Sequence, residues 1–204
     1  MKKAGMKKGK NKEFSTPYTV TNAVAKGNII TKLSLLIMGL GNIAHKQIGK
    51  GIMFLAVEAA YIWYMIQSGI YNLSMLPSLG WKKKKKVWNE KKSIYEYTAG
   101  DQSSLILLYG VATVYITAMF IIVWRESVKS SYKSEVLAKS GKHLNNFKED
   151  CKSLLDQNLY KLLLAAPVMG ILIFTILPLI YNITMAFTNY SKVNDHLVLF
   201  DWVG

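Results

Sequence analysis

Residues 105–124 read LILLYGVATVYITAMFIIVW, twenty residues without one charged side chain. A helix rises ~1.5 Å per residue, so about 20 residues cross a hydrocarbon layer of ~30 Å. A helix at the surface of a soluble core keeps a polar face; this stretch has none, which predicts a membrane span. Working outward, residues 162–191 carry no charge, and their core is LLLAAPVMGILIFTILPLIY at 162–181. That run predicts another span. Upstream, residues 51–66 read GIMFLAVEAAYIWYMI, broken only by Glu58, and the chain stays uncharged to Gly80. This run predicts the first of three spans. A fourth apolar stretch, LSLLIMGLGNIA at 33–44, has twelve residues and contains Gly39 and Gly41. It is too short to cross and reads as interfacial or re-entrant.

The 204-residue chain is 51% hydrophobic, yet it carries 26 Lys+Arg against 12 Asp+Glu, a formal net charge of +14. Its mean hydropathy of +0.17 excludes intrinsic disorder, whose signature is low hydrophobicity. A single cysteine, Cys151, excludes a disulfide within the chain. Charge and apolar residues are therefore segregated along the sequence. Residues 1–50 hold ten Lys, residues 67–104 seven, residues 125–161 eight Lys+Arg, and the tail 188–204 one. Cytoplasmic loops are enriched in Lys and Arg. The bias places the N-terminus and the second linker inside, and the first linker and the tail outside, with the run Lys82 to Lys86 as the misfit. The basic N-terminus reads as a cytoplasmic tail that fixes topology and meets anionic lipid. Nucleic acid is not an expected partner, since no zinc-knuckle, helix-turn-helix or aromatic RNP pattern accompanies the lysines. The polar, basic first 28 residues contain no apolar core of a cleavable signal peptide, so the spans are expected to remain in the mature protein.

The expected fold is an all-α integral membrane protein with three transmembrane helices and an amphipathic cytoplasmic helix. Its expected divisions are a basic cytoplasmic region at 1–50, a first span at 51–71, an external aromatic and basic loop at 72–104, and a second span at 105–124. A cytoplasmic amphipathic linker at 125–161, a third span at 162–187 and the start of an external loop at 188–204 complete the chain. The first loop carries Tyr71, Trp81, Trp88, Tyr95 and Tyr97, rings that favour the headgroup zone; stacking on carbohydrate is the rarer use of such aromatics. The linker reads as two short helices around Ser140-Gly141. In its second half Leu144, Phe147, Cys151, Leu154, Leu155 and Leu159 mark one helical face, which assigns Cys151 to packing. The third span contains Pro167 and Pro178, and Ala166 with Gly170 forms a small-xxx-small pair suited to close helix approach.

Catalytic chemistry is not indicated. There is no GxxxxGKS phosphate loop, and His45, His143 and His196 are too dispersed for a metal site. His143 with Glu149 or Asp150 reads as a solvated set. No catalytic, cofactor-binding or metal-ligating residue is assigned, no cofactor is expected, and substrate-binding residues are unknown. Glu58 is the one ionisable residue within a span, where acids are functional candidates. The commoner use is a structural pairing with Lys50 or with another helix.

The run Thr175-Ile-Leu-Pro-Leu-Ile180, then Ala186-Phe-Thr-Asn-Tyr190, then Phe200-Asp-Trp-Val-Gly204, resembles the N-terminal part of carbohydrate ABC-transporter permeases. The pattern is a proline-containing span, a polar aromatic exit and a Phe-Val-Gly-like phrase; here Ala186 replaces a serine and the phrase reads Trp202-Val203-Gly204. The two extra spans before the proline span resemble the large membrane subunit of maltose and maltodextrin importers (MalF-like). The resemblance implies sugar import across the cell membrane, driven by separate ATPase subunits. Its other implied partners are a second permease subunit and an extracellular sugar-binding protein. The loop that docks the ATPase in such permeases, with its Glu-Ala-Ala motif, is not in these 204 residues, so the chain is expected to be an N-terminal fragment. The rival expectation is a complete three-span scaffold or adaptor without transport activity.

Overall fold

The computed structural model describes residues 18–83, 85–90, 93–97, 100–145, 147–156, 159–191 and 198–203. Within them the chain is mostly helical, and three helical segments are long and apolar enough to cross a membrane: Ile48–Met75, Ser103–Lys139 and Leu163–Met185. Before the first of these lie three short helices, α1 (Val20–Lys26), α2 (Ile29–Leu33) and α3 (Leu40–Ala44). The first segment is α4 (Ile48–Tyr64), a π-helical turn (Met65–Gly69) and α5 (Ile70–Met75). It is longer at both ends than the apolar run 51–66 suggests, because the uncharged residues beyond Gln67 continue the helix. The second is α6 (Ser103–Lys139), 37 residues long. The third joins α8 (Leu159–Ile171), a π-turn (Leu172–Ile176) and α9 (Leu177–Met185). Helix α8 continues through Pro167, and Pro178 stands just after the π-turn, inside the same continuous helical segment.

Helix α6 departs from the expected division. Residues 125–139 do not form a separate short helix but continue the second span without a break. No Gly or Pro lies between Arg125 and Ser140, so nothing stops the helix until Gly141, whose φ of 65° is left-handed. At ~1.5 Å per residue, these residues carry the helix ~22 Å beyond the apolar stretch. Helix α7 (Phe147–Asp156) then folds back on the start of α4. There Phe147 fills the space beside Gly49, and Lys50 Nζ lies 3.4 Å from Asp150 Oδ2. Cys151 is half-buried on this helix.

The apolar stretch 33–44 is two helix ends around a turn, packed against α4 and α6. Gly39 makes the turn possible: its φ is 81°, and a Cβ there would overlap the backbone of Gly51. The first loop contains an antiparallel hairpin of β1 (Lys86–Asn89) and β2 (Ile94–Tyr97), with Trp88 opposite Tyr95. Those rings meet edge to face at 4.8 Å, and Lys86 Nζ lies 4.7 Å from the Tyr95 ring centre. Val, Trp, Ile and Tyr are strand formers, so short β-structure in this loop agrees with its composition.

Candidate functional site: two junctions that tie the spans

The described residues contain no group of three or more His, Cys, Asp or Glu able to hold a metal ion. The interactions that organise the described residues lie at two junctions, one at each end of the spans, named inner and outer after the orientation expected from the Lys and Arg distribution.

At the inner junction, α1 to α3 dock on the extension of α6. Ser127, Ser131 and Ser134 on that helix are buried, and so is Glu135 at 1% exposure. Within the turn 34–41 the N–H groups of Met38, Gly39 and Gly41 bond side chains rather than backbone carbonyls, and a buried N–H without an acceptor is costly. Met38 N–H donates to Glu58 Oε2 at 2.8 Å, Gly39 N–H to Ser127 Oγ at 3.1 Å, and Gly41 N–H to Ser34 Oγ at 2.7 Å. Ser134 Oγ bonds Gln47 Oε1 at 2.7 Å and Asn42 Oδ1 at 3.2 Å. Trp124 Nε1 donates to the Leu35 carbonyl at 2.9 Å. Beneath these bonds Ala23, Val128, Tyr132 and Val136 form a small apolar core.

Glu58 therefore pairs with a backbone N–H of the turn, and not with Lys50, which pairs with Asp150. Lys50 lies eight residues away, about 12 Å along the helix axis, whereas the turn sits directly against Glu58. The acid stands out in the sequence but its partner does not, since a backbone donor leaves no mark there.

Glu135 is the second acid of this junction, and it is buried. Its two oxygens accept from Asn28 N–H at 3.1 and 3.0 Å, Oε2 from the Thr31 hydroxyl at 2.5 Å, and Oε1 from Lys139 Nζ at 2.5 Å. Burial alone pushes this carboxyl up; the bonds from Lys139, Thr31 and Asn28 outweigh it and hold it below the ordinary glutamate value. Nothing in the sequence pattern singles out Glu135 from the other charges of the linker.

At the outer junction, the two halves of the exit motif meet. Thr188 and Trp202 form an isolated antiparallel bridge. Asn189 N–H donates to the Asp201 carbonyl at 3.0 Å, Val203 N–H to the Phe187 carbonyl at 2.9 Å, and Asp201 N–H to Asn189 Oδ1 at 2.7 Å. The pairing drives Phe200, 1% exposed, into a cluster with Leu79, Leu107 and Val111, against which Leu177, Tyr181 and Met185 of α9 pack. Phe200 N–H donates to Ser103 Oγ at 3.1 Å, and Trp202 Nε1 to the Leu76 carbonyl at 3.0 Å. The motif thus fastens the ends of all three spans.

Between the junctions, Tyr and Thr side chains link the first two spans. Tyr64 OH lies 2.7 Å from Thr113 Oγ1, Tyr61 OH donates to Thr117 Oγ1 at 3.2 Å, and Tyr61 stacks on Phe120 at 3.8 Å. The third span differs: none of its apolar window is buried, and Phe174 is 80% exposed. Around Gly170, of the small-residue pair with Ala166, an added Cβ would meet nothing within 4 Å, so no helix of the described residues uses that close-approach surface. His143 Nε2 contacts Glu149 Oε2 at 2.9 Å in an exposed pair. His45 caps α3, and His196 lies outside the described residues.

The fold is that of an α-helical multi-pass membrane protein, with three candidate spans among the described residues. No family model and no solved structure matches the chain. Its curated relatives are permease subunits of carbohydrate ABC transporters, to which it is similar over most of its length. The maltodextrin transport system permease protein MdxF of Bacillus subtilis is 25% identical over 191 residues, covering 92% of this chain and 39% of the relative. The galactooligosaccharides transport system permease protein GanP of the same organism is 25% identical over 182 residues, 86% of this chain and 38% of the relative. The maltodextrin transport system permease protein MalC of Streptococcus pneumoniae is 27% identical over 173 residues, 83% of this chain and 36% of the relative. The chain spans about two fifths of the length of the curated relatives it matches. These relatives are transport permeases and not enzymes.

Proposed function

We propose that these 204 residues are the N-terminal part of the membrane subunit of an ATP-driven oligosaccharide importer, with maltodextrin-type sugars as substrate. The observation that carries the reading is the similarity to sugar permeases over 92% of the chain. The pairing of the exit motif across all three spans supports it, because the residues that prompted the resemblance are those that hold the bundle together. In this reading the chain lies in the cell membrane with its N-terminus in the cytoplasm. The inner junction then sits at the cytoplasmic face and the exit motif at the outer face. A second permease subunit, two ATPase subunits and an extracellular sugar-binding protein complete the importer. The unburied third span supports such an assembly, since its apolar surface is free to meet further helices or lipid.

Deletion of the gene in its host tests this reading through uptake of radiolabelled maltotriose. Loss of uptake, restored by the intact gene, is the expected result. Unchanged uptake, together with purification of the native protein free of any ATPase, would favour a membrane scaffold and overturn the permease reading.

A further inference from the structure

At the outer end of the first two spans lies a cavity of about 320 Å³. It is lined by Tyr71 and Tyr109, by Asn72, Asp101 and Gln102, and by apolar residues including Ile106. Both tyrosines are more than half exposed. Asp101 is held in place from behind: its Oδ2 accepts from the N–H groups of Trp81 at 3.0 Å and Lys82 at 2.9 Å. Gln102 occupies the N-cap position of α6 but makes no side-chain capping bond there. Asn72 donates through Nδ2 to Thr113 Oγ1 at 3.4 Å, which continues the polar line to Tyr64 between the spans. The π-turn Met65–Gly69 lies just before Tyr71 and Asn72, and such turns are frequent at functional sites.

We infer that this cavity is a contact site for a neutral polyhydroxylated ligand, an oligosaccharide, at the mouth between the first and second spans. The choice of carbohydrate rests in part on the permease reading; the chemistry of the lining supports it separately. Tyrosine rings offer flat apolar faces for the C–H side of a pyranose, and a carboxylate with two amides accepts from and donates to its hydroxyls. The volume falls in the range of small-molecule sites. Among the described residues no cationic side chain lines the cavity, which disfavours phosphate and other anions. An acyl chain has no use for Asp101 or Gln102.

The test uses the full chain in nanodiscs of phosphatidylglycerol, with saturation-transfer NMR on added maltotriose. Wild type is expected to transfer saturation to the sugar. Tyr109→Ala and Gln102→Ala, both at exposed positions, are expected to weaken binding about tenfold each, the worth of one lost polar or stacking contact. No transfer to maltotriose at millimolar concentration, or equal transfer to wild type and both variants, overturns the inference. Displacement of maltotriose by phosphocholine but not by maltose also overturns it, since the site then serves a lipid headgroup. The permease reading fails differently. If the assembled importer moves maltotriose and Tyr109→Ala leaves its KM unchanged, the cavity loses its role and the permease reading stands. If the wild-type importer moves no sugar, the permease reading itself falls.

Discussion

Replacing Glu135 by alanine is expected to release the N-terminal helices from α6. Two of the bonds that Glu135 accepts cross between elements, from Asn28 N–H and from the Thr31 hydroxyl. Hydrogen bonds to a charged partner contribute ~1.5–3 kcal/mol each. The Lys139 bond is an i, i+4 contact within α6 to a half-exposed lysine, worth ~0.3–0.5 kcal/mol, and it does not hold the N-terminal helices. Taking the lower bound for the two crossing bonds gives ~3 kcal/mol, or about a hundredfold in the opening equilibrium of the docked segment. Amide hydrogen exchange by mass spectrometry in nanodiscs reads this directly. Residues 19–35 are expected to exchange about a hundredfold faster at neutral pH in Glu135→Ala, while residues 105–124 stay unchanged. Glu135→Gln, which keeps an acceptor but loses the charge, falls between. The pH dependence has a definite sign. Because its donors hold the folded carboxyl below its ordinary value, its contribution is complete above the ordinary glutamate range and is lost as pH falls through the lowered folded pKa. The ratio of variant to wild-type exchange is therefore expected to shrink toward one in acid. Equal exchange at neutral pH, or a ratio that does not change in acid, would refute the reasoning.

Gly39→Ala puts a Cβ into a left-handed residue and onto the Gly51 backbone; the left-handed strain alone costs ~1–2 kcal/mol. A thermal scan is expected to show a clear drop in Tm against no change for Gly170→Ala, whose Cβ meets open space. Phe200→Ala empties the centre of the outer cluster at a cost of ~3–5 kcal/mol, and chemical denaturation should show it, with Phe200→Leu much milder. In a Cys151→Ser background, Ser78→Cys is expected to react with an impermeant maleimide from outside intact cells and Ser140→Cys only after permeabilisation; outside labelling of Ser140→Cys would reverse the orientation.

The spans were legible because a membrane helix must be apolar on every face for about 20 residues, a signal that needs no partner to read. Everything set by contact stayed hidden in the sequence. The charges at 125–139 looked like a linker because charge marks the membrane boundary, but charge does not end a helix; only Gly141 does. Ser127, Ser131 and Ser134 looked unremarkable because serine is common in polar segments. Their spacing of four and three places them on one helical face, yet only the segment packed against it gives Ser127 a donor in Gly39 N–H and Ser134 an acceptor in Gln47 Oε1. Glu58 stood out as an acid in a span, but its partner is a backbone N–H twenty residues earlier. The exit motif was legible as a pattern through resemblance, whereas its physical role depends on Phe200 reaching Leu79 and Leu107 across the chain.

The two junctions respond to different conditions, and this bears on how the chain can work within a larger assembly. The inner junction is polar, built on serine hydroxyls, Glu58 and Glu135, so it weakens when Glu135 is protonated or a donor is lost. The outer junction is apolar, centred on Phe200, so it weakens with lost volume and hardly with pH. The first two spans are also joined along their length by the Tyr61, Tyr64, Thr113 and Thr117 contacts. The third meets the outer cluster through α9, and its apolar window is otherwise uncovered. A helix anchored at one end and bare along its length loses little by packing against new neighbours, because no existing contact has to break. The first two spans and the N-terminal helices therefore form the fixed body, and the third span presents an apolar surface open to lipid or to another helix.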